Sequence, residues 1–295
     1  MKLAAVAVGD DWAIGAVEPA GDSIRVAPAE YGTVDDVVRG LIGVPLVREW
    51  LRDVEPQPLS SVALGAPLQR FNRDILCTGW NYVDHFYESA GKREGQDPDA
   101  LPAHPTFFTK GPDTVIGPYD PIAYDAELSR QWDYEAELAI VIGRDGRSIP
   151  AERAHQHVFG YLVANDVSQR DLQRAHGGQW LKGKSIDATM PLGPWITTAD
   201  EIPDPAGLRI TCEVNGVVLQ AATVGQMAFD IPRLIEELSR GMTLRAGDVL
   251  LTGTPSGIGN AREPQVFLSD GDQVVTRVSK LGSLRNQVSR TRLTS

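Results

Sequence analysis

Cysteine is scarce in this chain of 295 residues, which holds two, Cys77 and Cys212. Both lie in apolar, strand-like runs, DILCTGW and RITCEVNG. They read as small buried hydrophobes rather than as a disulfide or a nucleophile. A disulfide-scaffold class is thereby excluded. Long apolar runs are also missing. No stretch reaches about 18 uninterrupted apolar residues, so no membrane span is expected. The N-terminus MKLAAVAVGDDWAIG lacks the apolar core and cleavage site of a signal peptide, and a cytoplasmic setting is the default expectation. Basic character is short too: 28 Lys and Arg face 39 Asp and Glu, for a net charge of −11. No Lys/Arg run is long enough to track phosphates, so neither nucleic acid nor an anionic membrane is expected as a partner. What remains is a chain that is 42% hydrophobic, long enough to bury roughly three-quarters of its unfolded surface.

Residues 1–70 read as a small α/β domain. KLAAVAV, WAIGAVE and SIRVAP form a meander split by turn residues. Thr33 can cap a short helix, and PLVREWLRDV is a second one. EPQPLSSVALGAPLQRFN then reads as a linker to a catalytic domain over 71–295. That second unit is denser in strands: DILCTGW, YEAELAIVIG, FGYLVAND, LRITCEV, VVLQAAT, DVLLTGT and DQVVTRVS. Asn215-Gly216 marks a two-residue hairpin. Helices are expected near 150–157, 168–175 and 230–241. Strands outnumber helices and do not alternate with them, which predicts an α+β, mostly β fold rather than a doubly wound sheet. The stretch 89–104, SAGKREGQDPDALPAH, reads as a mobile loop, either an ordinary surface insertion or a lid.

Several segments carry chemistry. In YEAELAIVI the period of two puts Glu135 and Glu137 on one face. Two carboxylates there repel each other unless solvated or offset by a cation or a shared proton. The strand FGYLVAND ends at Asn165-Asp166, which suits either a turn or a site. With Glu135 and Glu137, Asp166 would complete a set of hard oxygen ligands for Mg²⁺ or Mn²⁺, with Ca²⁺ also compatible. In NYVDHFYE, His85 and Glu88 are three apart and share a face on a helical turn. A carboxylate beside a histidine fixes its tautomer and makes it a better base; a plain surface contact is the other reading. Lys184, in WLKGKS, can reach an anionic oxygen or simply be solvated. Thr254, in LTGTPSG, sits where small residues let a ligand approach backbone, or where a tight turn needs them.

Taken in order, GWNYVDHFYE, PTFFTKGPDTVIGP, DYEAELAIVIG, GYLVANDVSQRDLQ, WLKGKSIDATMPLGPW, EVNG and TGTPSGIG resemble the fumarylacetoacetate hydrolase family over about 72–290. The resemblance implies a mixed β-sandwich roll, a homodimer and a divalent-metal site on Glu135, Glu137 and Asp166. It implies His85, Glu88 and Lys184 as catalytic groups and Arg170, Gln173, Thr254 and Lys110 as substrate-side groups. Asp84 matches an extra metal ligand of some members. Trp80 stands where the family often has a smaller aliphatic residue, and the 89–104 loop is longer than in many members. HGGQWLKGKS is most similar to members acting on acylpyruvates or diketo sugar acids. The expected activity is therefore metal-dependent hydrolysis of a C–C bond in a small 1,3-diketo acid through a metal-bound enolate. Decarboxylation of an oxaloacetate-type 2-oxo acid or isomerisation of a dienedioate are alternatives on the same enolate, and a non-catalytic binding protein is the rival outside enzymes.

Overall fold

The strand Ala136–Ile142 is buried at every residue. It lies inside the larger sheet of the computed structural model, which describes residues 1–92, 98 and 100–294. An unbroken apolar run is what a strand covered on both faces requires. Its even-numbered side chains, Leu138 and Ile140, pack with Ile210, Val274 and Leu284. Its odd-numbered Ala139 and Val141 pack with Val34, Val38 and Val47. Each such Leu, Ile or Val contributes about 1.5–3 kcal/mol when fully buried.

The first set of partners comes from a second sheet. Its strands run Val217–Thr223, Arg209–Val214, Gln273–Val278, Gly282–Arg290 and Ile122–Tyr124 in spatial order. The second set comes from the short helices Val34–Val38 and Val44–Trp50. The large sheet is thus covered by a sheet on one side and by helices on the other. The result is mostly β with mixed pairing, as the strand-rich sequence implies. Most neighbours are antiparallel, but Val249–Leu251 lies parallel to Ile75–Gly79.

The N-terminal strands join the same large sheet. Lys2–Val8 pairs with Met190–Thr198 through Lys2↔Thr197 and Leu3↔Ile196. The Thr33 cap is present as a capping box with Asp36. Asn215 and Gly216 both take positive φ (51° and 82°) between Val214 and its partner Val217, the backbone a tight hairpin demands. The helix expected at 230–241 is Ile231–Ser239, capped by Asp230. At 150–157 the chain forms a 3₁₀ turn, Ala151–His157, instead of an α-helix. Within the 89–104 loop, residues 93–97 and 99 lie outside the described residues. No described helix is long and apolar enough to cross a membrane.

Candidate active site

Strand parity builds the site. Leu162 and Ala164, in the strand Val158–Asn165, face the same side as Ala139 and Val141. Asp166 continues that even-numbered face one residue beyond the strand, as Glu137 and Glu135 continue the odd-numbered face of the neighbouring strand. The two strands are antiparallel with Ala136 opposite Asn165 and Glu137 opposite Ala164. Asp166 N donates to Glu135 O at 2.8 Å, so the two carboxylate residues lie opposite each other where the strands end. Their carboxylates and that of Glu137 bring ligand oxygens within 4.8 Å of one another, all buried.

Like charges placed opposite each other across strands destabilise unless offset. The offset comes from buried cations. Lys184 Nζ donates to Glu135 Oε2 at 2.8 Å and to Asp166 Oδ2 at 2.7 Å. Lys110 Nζ, fully buried, donates to Asp166 Oδ1 at 2.9 Å and to the Val167 carbonyl at 2.8 Å. Arg170 Nη2 donates to Glu135 Oε1 at 2.6 Å, and its Nε donates to Asp133 Oδ2 at 2.9 Å. The two lysines respond in opposite directions. Burial pushes Lys110 down, and one carboxylate does not make up the loss. Burial also acts against Lys184, yet Asp166 and Glu135 together push it up. Burial alone would raise the Glu135 carboxyl; Lys184 and then Arg170 outweigh it and hold it at about 2.

Among the described residues Glu137 has no ion pair of its own, and the charge of Lys184 only partly offsets its surroundings. Burial, then the charges of Asp166 and Glu135, raise its carboxyl well above the ordinary range, although Gly253 N donates to Oε2 at 2.6 Å. A divalent cation fits this donor set. Three hard oxygen donors converge, and a lysine ammonium already bridges two of them. Glu135, Glu137 and Asp166 are the residues that could hold it.

A histidine–glutamate pair is assembled separately. His85 and Glu88 lie on the short helix Val83–Glu88. His85 Nδ1 and Glu88 Oε1 are 2.9 Å apart, and Glu88 Oε2 accepts from Gly257 N at 2.7 Å. With Nδ1 engaged, Nε2 is the nitrogen left for proton transfer. His85 lines a cavity together with Arg170 and Gln173, and Gln173 Oε1 accepts from Arg170 Nη1 at 3.1 Å. Two further residues that the resemblance places at the site make no hydrogen bond to these side chains among the described residues. Thr254 is buried, accepting from Gln220 Nε2 at 2.8 Å and donating to the Ala136 carbonyl at 2.9 Å. Asp84 is exposed at the start of its helix and stands outside the three-carboxylate group.

A model of the fumarylacetoacetate (FAA) hydrolase C-terminal region matches residues 74–289. The chain belongs to the fumarylacetoacetate hydrolase family. Oxaloacetate tautomerase YisK of Bacillus subtilis is 44% identical over 230 residues, covering 78% of this chain and 74% of that protein. A fumarylacetoacetate hydrolase structure from psychrophilic Exiguobacterium antarcticum superposes with a TM-score of 0.83 at 38% identity, covering 99% of this chain and 100% of that one. The structure of 5-carboxymethyl-2-hydroxymuconate delta-isomerase from Mycobacterium smegmatis does so with a TM-score of 0.76 at 34% identity and the same coverage.

Residues without a role assigned from the sequence also tie the site together. Asp133 ties Arg170 to the loop that holds the dyad: Gly259 N and Asn260 N donate to its two oxygens at 2.7 and 3.0 Å. Asn260 Oδ1 in turn accepts from Arg174 Nη2 at 2.7 Å. Asp133 stands two residues before Glu135, so the period of two that singled out the glutamates runs through it as well. Gly259 carries no such signal, because only the folded chain shows that a Cβ there would lie 1.8 Å from the Val266 carbonyl oxygen.

Proposed function

We propose that the chain catalyses keto–enol proton transfer on a small 2-oxo acid of the oxaloacetate type, with Mg²⁺ or Mn²⁺ held by Glu135, Glu137 and Asp166. The observation that carries this reading is the His85–Glu88 pair, with Nε2 free of the Glu88 contact, in one cavity with Arg170, which is itself bound to the carboxylate cluster. A bound divalent cation supplies Lewis-acid polarisation of the substrate carbonyl. His85 Nε2 takes the proton from the carbon beside that carbonyl. The C–H electron pair becomes the C=C bond, the carbonyl π pair moves to oxygen, and the proton held on His85 passes to that oxygen, which completes the enol and restores the neutral imidazole. Glu88, fixed by Gly257, stabilises the imidazolium. Lys184 places a positive charge beside the cluster where oxygen charge develops. Arg170 and Gln173 orient the acid from the cavity side. Among the described residues, four buried carboxylates of this cluster face three buried cations. A divalent cation would make the cluster net positive, which suits an anionic substrate.

The name of the 44%-identical relative supports proton transfer ahead of bond cleavage. Hydrolysis of a 1,3-diketo acid is the second reading, favoured by the same dyad, since a base of this kind also activates water. The test is product analysis with Mg²⁺ on oxaloacetate and on an acylpyruvate. Accelerated tautomer interconversion without acid release supports the proposal. Cleavage of the acylpyruvate with oxaloacetate tautomers left at their uncatalysed rate overturns it in favour of the hydrolase.

A further inference from the structure

The cavity that His85 and Arg170 line is also lined by Lys92, Arg174, Trp80 and Trp180, and the proton transfer uses none of these four. Lys92 N donates to the Ser89 carbonyl at 3.1 Å, extending the turns that follow the dyad helix. Its ammonium donates to the Ala261 carbonyl at 2.6 Å, on the loop whose Gly257 holds Glu88. A carbonyl satisfies one of three ammonium donors and leaves the charge uncompensated. Among the described residues no carboxylate pairs with it.

The wall beside it is aromatic. Trp80 holds φ at 55°, a left-handed conformation that bulky residues rarely adopt and that persists where surrounding packing enforces it, often beside a site. Its ring meets Trp180 edge-on at 5.0 Å. Gly79 makes the room, since a Cβ there would lie 2.4 Å from the Trp180 ring.

We propose that Lys92 is a specificity-determining residue that binds the second carboxylate of a dicarboxylic 2-oxo acid, while Trp80 and Trp180, packed edge-on against each other, form one apolar wall of the cavity. This rests on the proton-transfer reading for the substrate class. A hydrogen bond from a cation to a carboxylate corresponds to about a tenfold change in affinity or more. Titration calorimetry on the Mn²⁺-loaded protein compares oxaloacetate with 2-oxobutanoate, which lacks the second carboxylate. The wild type is expected to prefer the diacid by about tenfold or more, Lys92→Met to reduce that preference about tenfold, and Lys92→Arg to restore most of it. An unchanged preference in Lys92→Met, including equal weakening of both acids, overturns the assignment, as does a wild type without preference. Calorimetry reads binding and not turnover. A wild type that prefers the diacid but does not interconvert its tautomers therefore refutes the proton-transfer reading and leaves Lys92 in place.

Discussion

Lys184 shares one ammonium between Glu135 and Asp166, at 2.8 and 2.7 Å. The two carboxylates face each other across the ends of neighbouring strands, and the lysine bridges them, beside Arg170 on Glu135 and Lys110 on Asp166. The lysine and a divalent cation therefore relieve the same repulsion. Lys184→Met is expected to cost the metal-free protein about 3 kcal/mol, the loss typical of breaking a buried charge pair. Saturating Mn²⁺ should recover part of that loss. Urea unfolding with and without metal measures it; equal stability of variant and wild type without metal contradicts the role.

Glu137→Gln should separate folding from metal binding. Gln keeps an acceptor for Gly253 N and removes a charge repelled by Asp166 and Glu135. The folded-state carboxyl titrates above its unfolded value, so its favourable contribution is complete below the unfolded value and is lost as pH rises through the folded one. The stability advantage of Gln over Glu in metal-free protein should therefore grow from acidic toward neutral pH. The rise in Tm on adding Mn²⁺, which reports binding to the folded state, should shrink. A variant that keeps the full Mn²⁺-induced rise removes Glu137 from the metal site.

His85→Ala should lower kcat by about 10²–10⁴ while Mn²⁺ affinity survives. Glu88→Gln should act in the same direction, because it fills the space without stabilising the imidazolium. Replacing both should be little worse than losing His85 alone, as groups acting as a unit behave. Multiplicative losses in the double variant would show that the two residues act independently.

Gly259→Ala tests the link between the dyad loop and Arg170. The added Cβ would meet the Val266 carbonyl at 1.8 Å and Asp133 Oδ1 at 2.8 Å, so the loop must move. About 1–3 kcal/mol of stability should be lost, as for other overpacked sites. KM should rise more than kcat falls if Arg170 orients the substrate as proposed. Wild-type Tm and KM together would show that Asp133 does not position Arg170.

The local rules of the sequence account for much of this site. A period of two put Glu135 and Glu137 on one face, and the folded strand keeps them there. Spacing along a helical turn joined His85 to Glu88. The two longest strands that escaped those rules show why. Met190–Thr198 carries Pro191, Gly193 and Pro194, residues that argue against a central strand. It nevertheless joins Lys2–Val8 to Val158–Asn165, with a register shift between Tyr161 and Val163 absorbing the irregularity. Gly282–Arg290 alternates, but its inward set includes Asn286, whose amide nitrogen donates to the Gly117 and Asp120 carbonyls far away in sequence. Long-range closure also hid Asp133, whose partners come from residues 170, 259 and 260.

The most direct test of the account follows deuterium entering the carbon beside the oxaloacetate carbonyl in D₂O, read by proton NMR with Mg²⁺ present. The account predicts that wild-type protein speeds this exchange well above the uncatalysed rate and that His85→Ala returns it close to that rate while still binding the metal. Exchange at the uncatalysed rate with wild-type protein, or undiminished exchange with His85→Ala, would contradict proton transfer by His85 at this carboxylate-lined site.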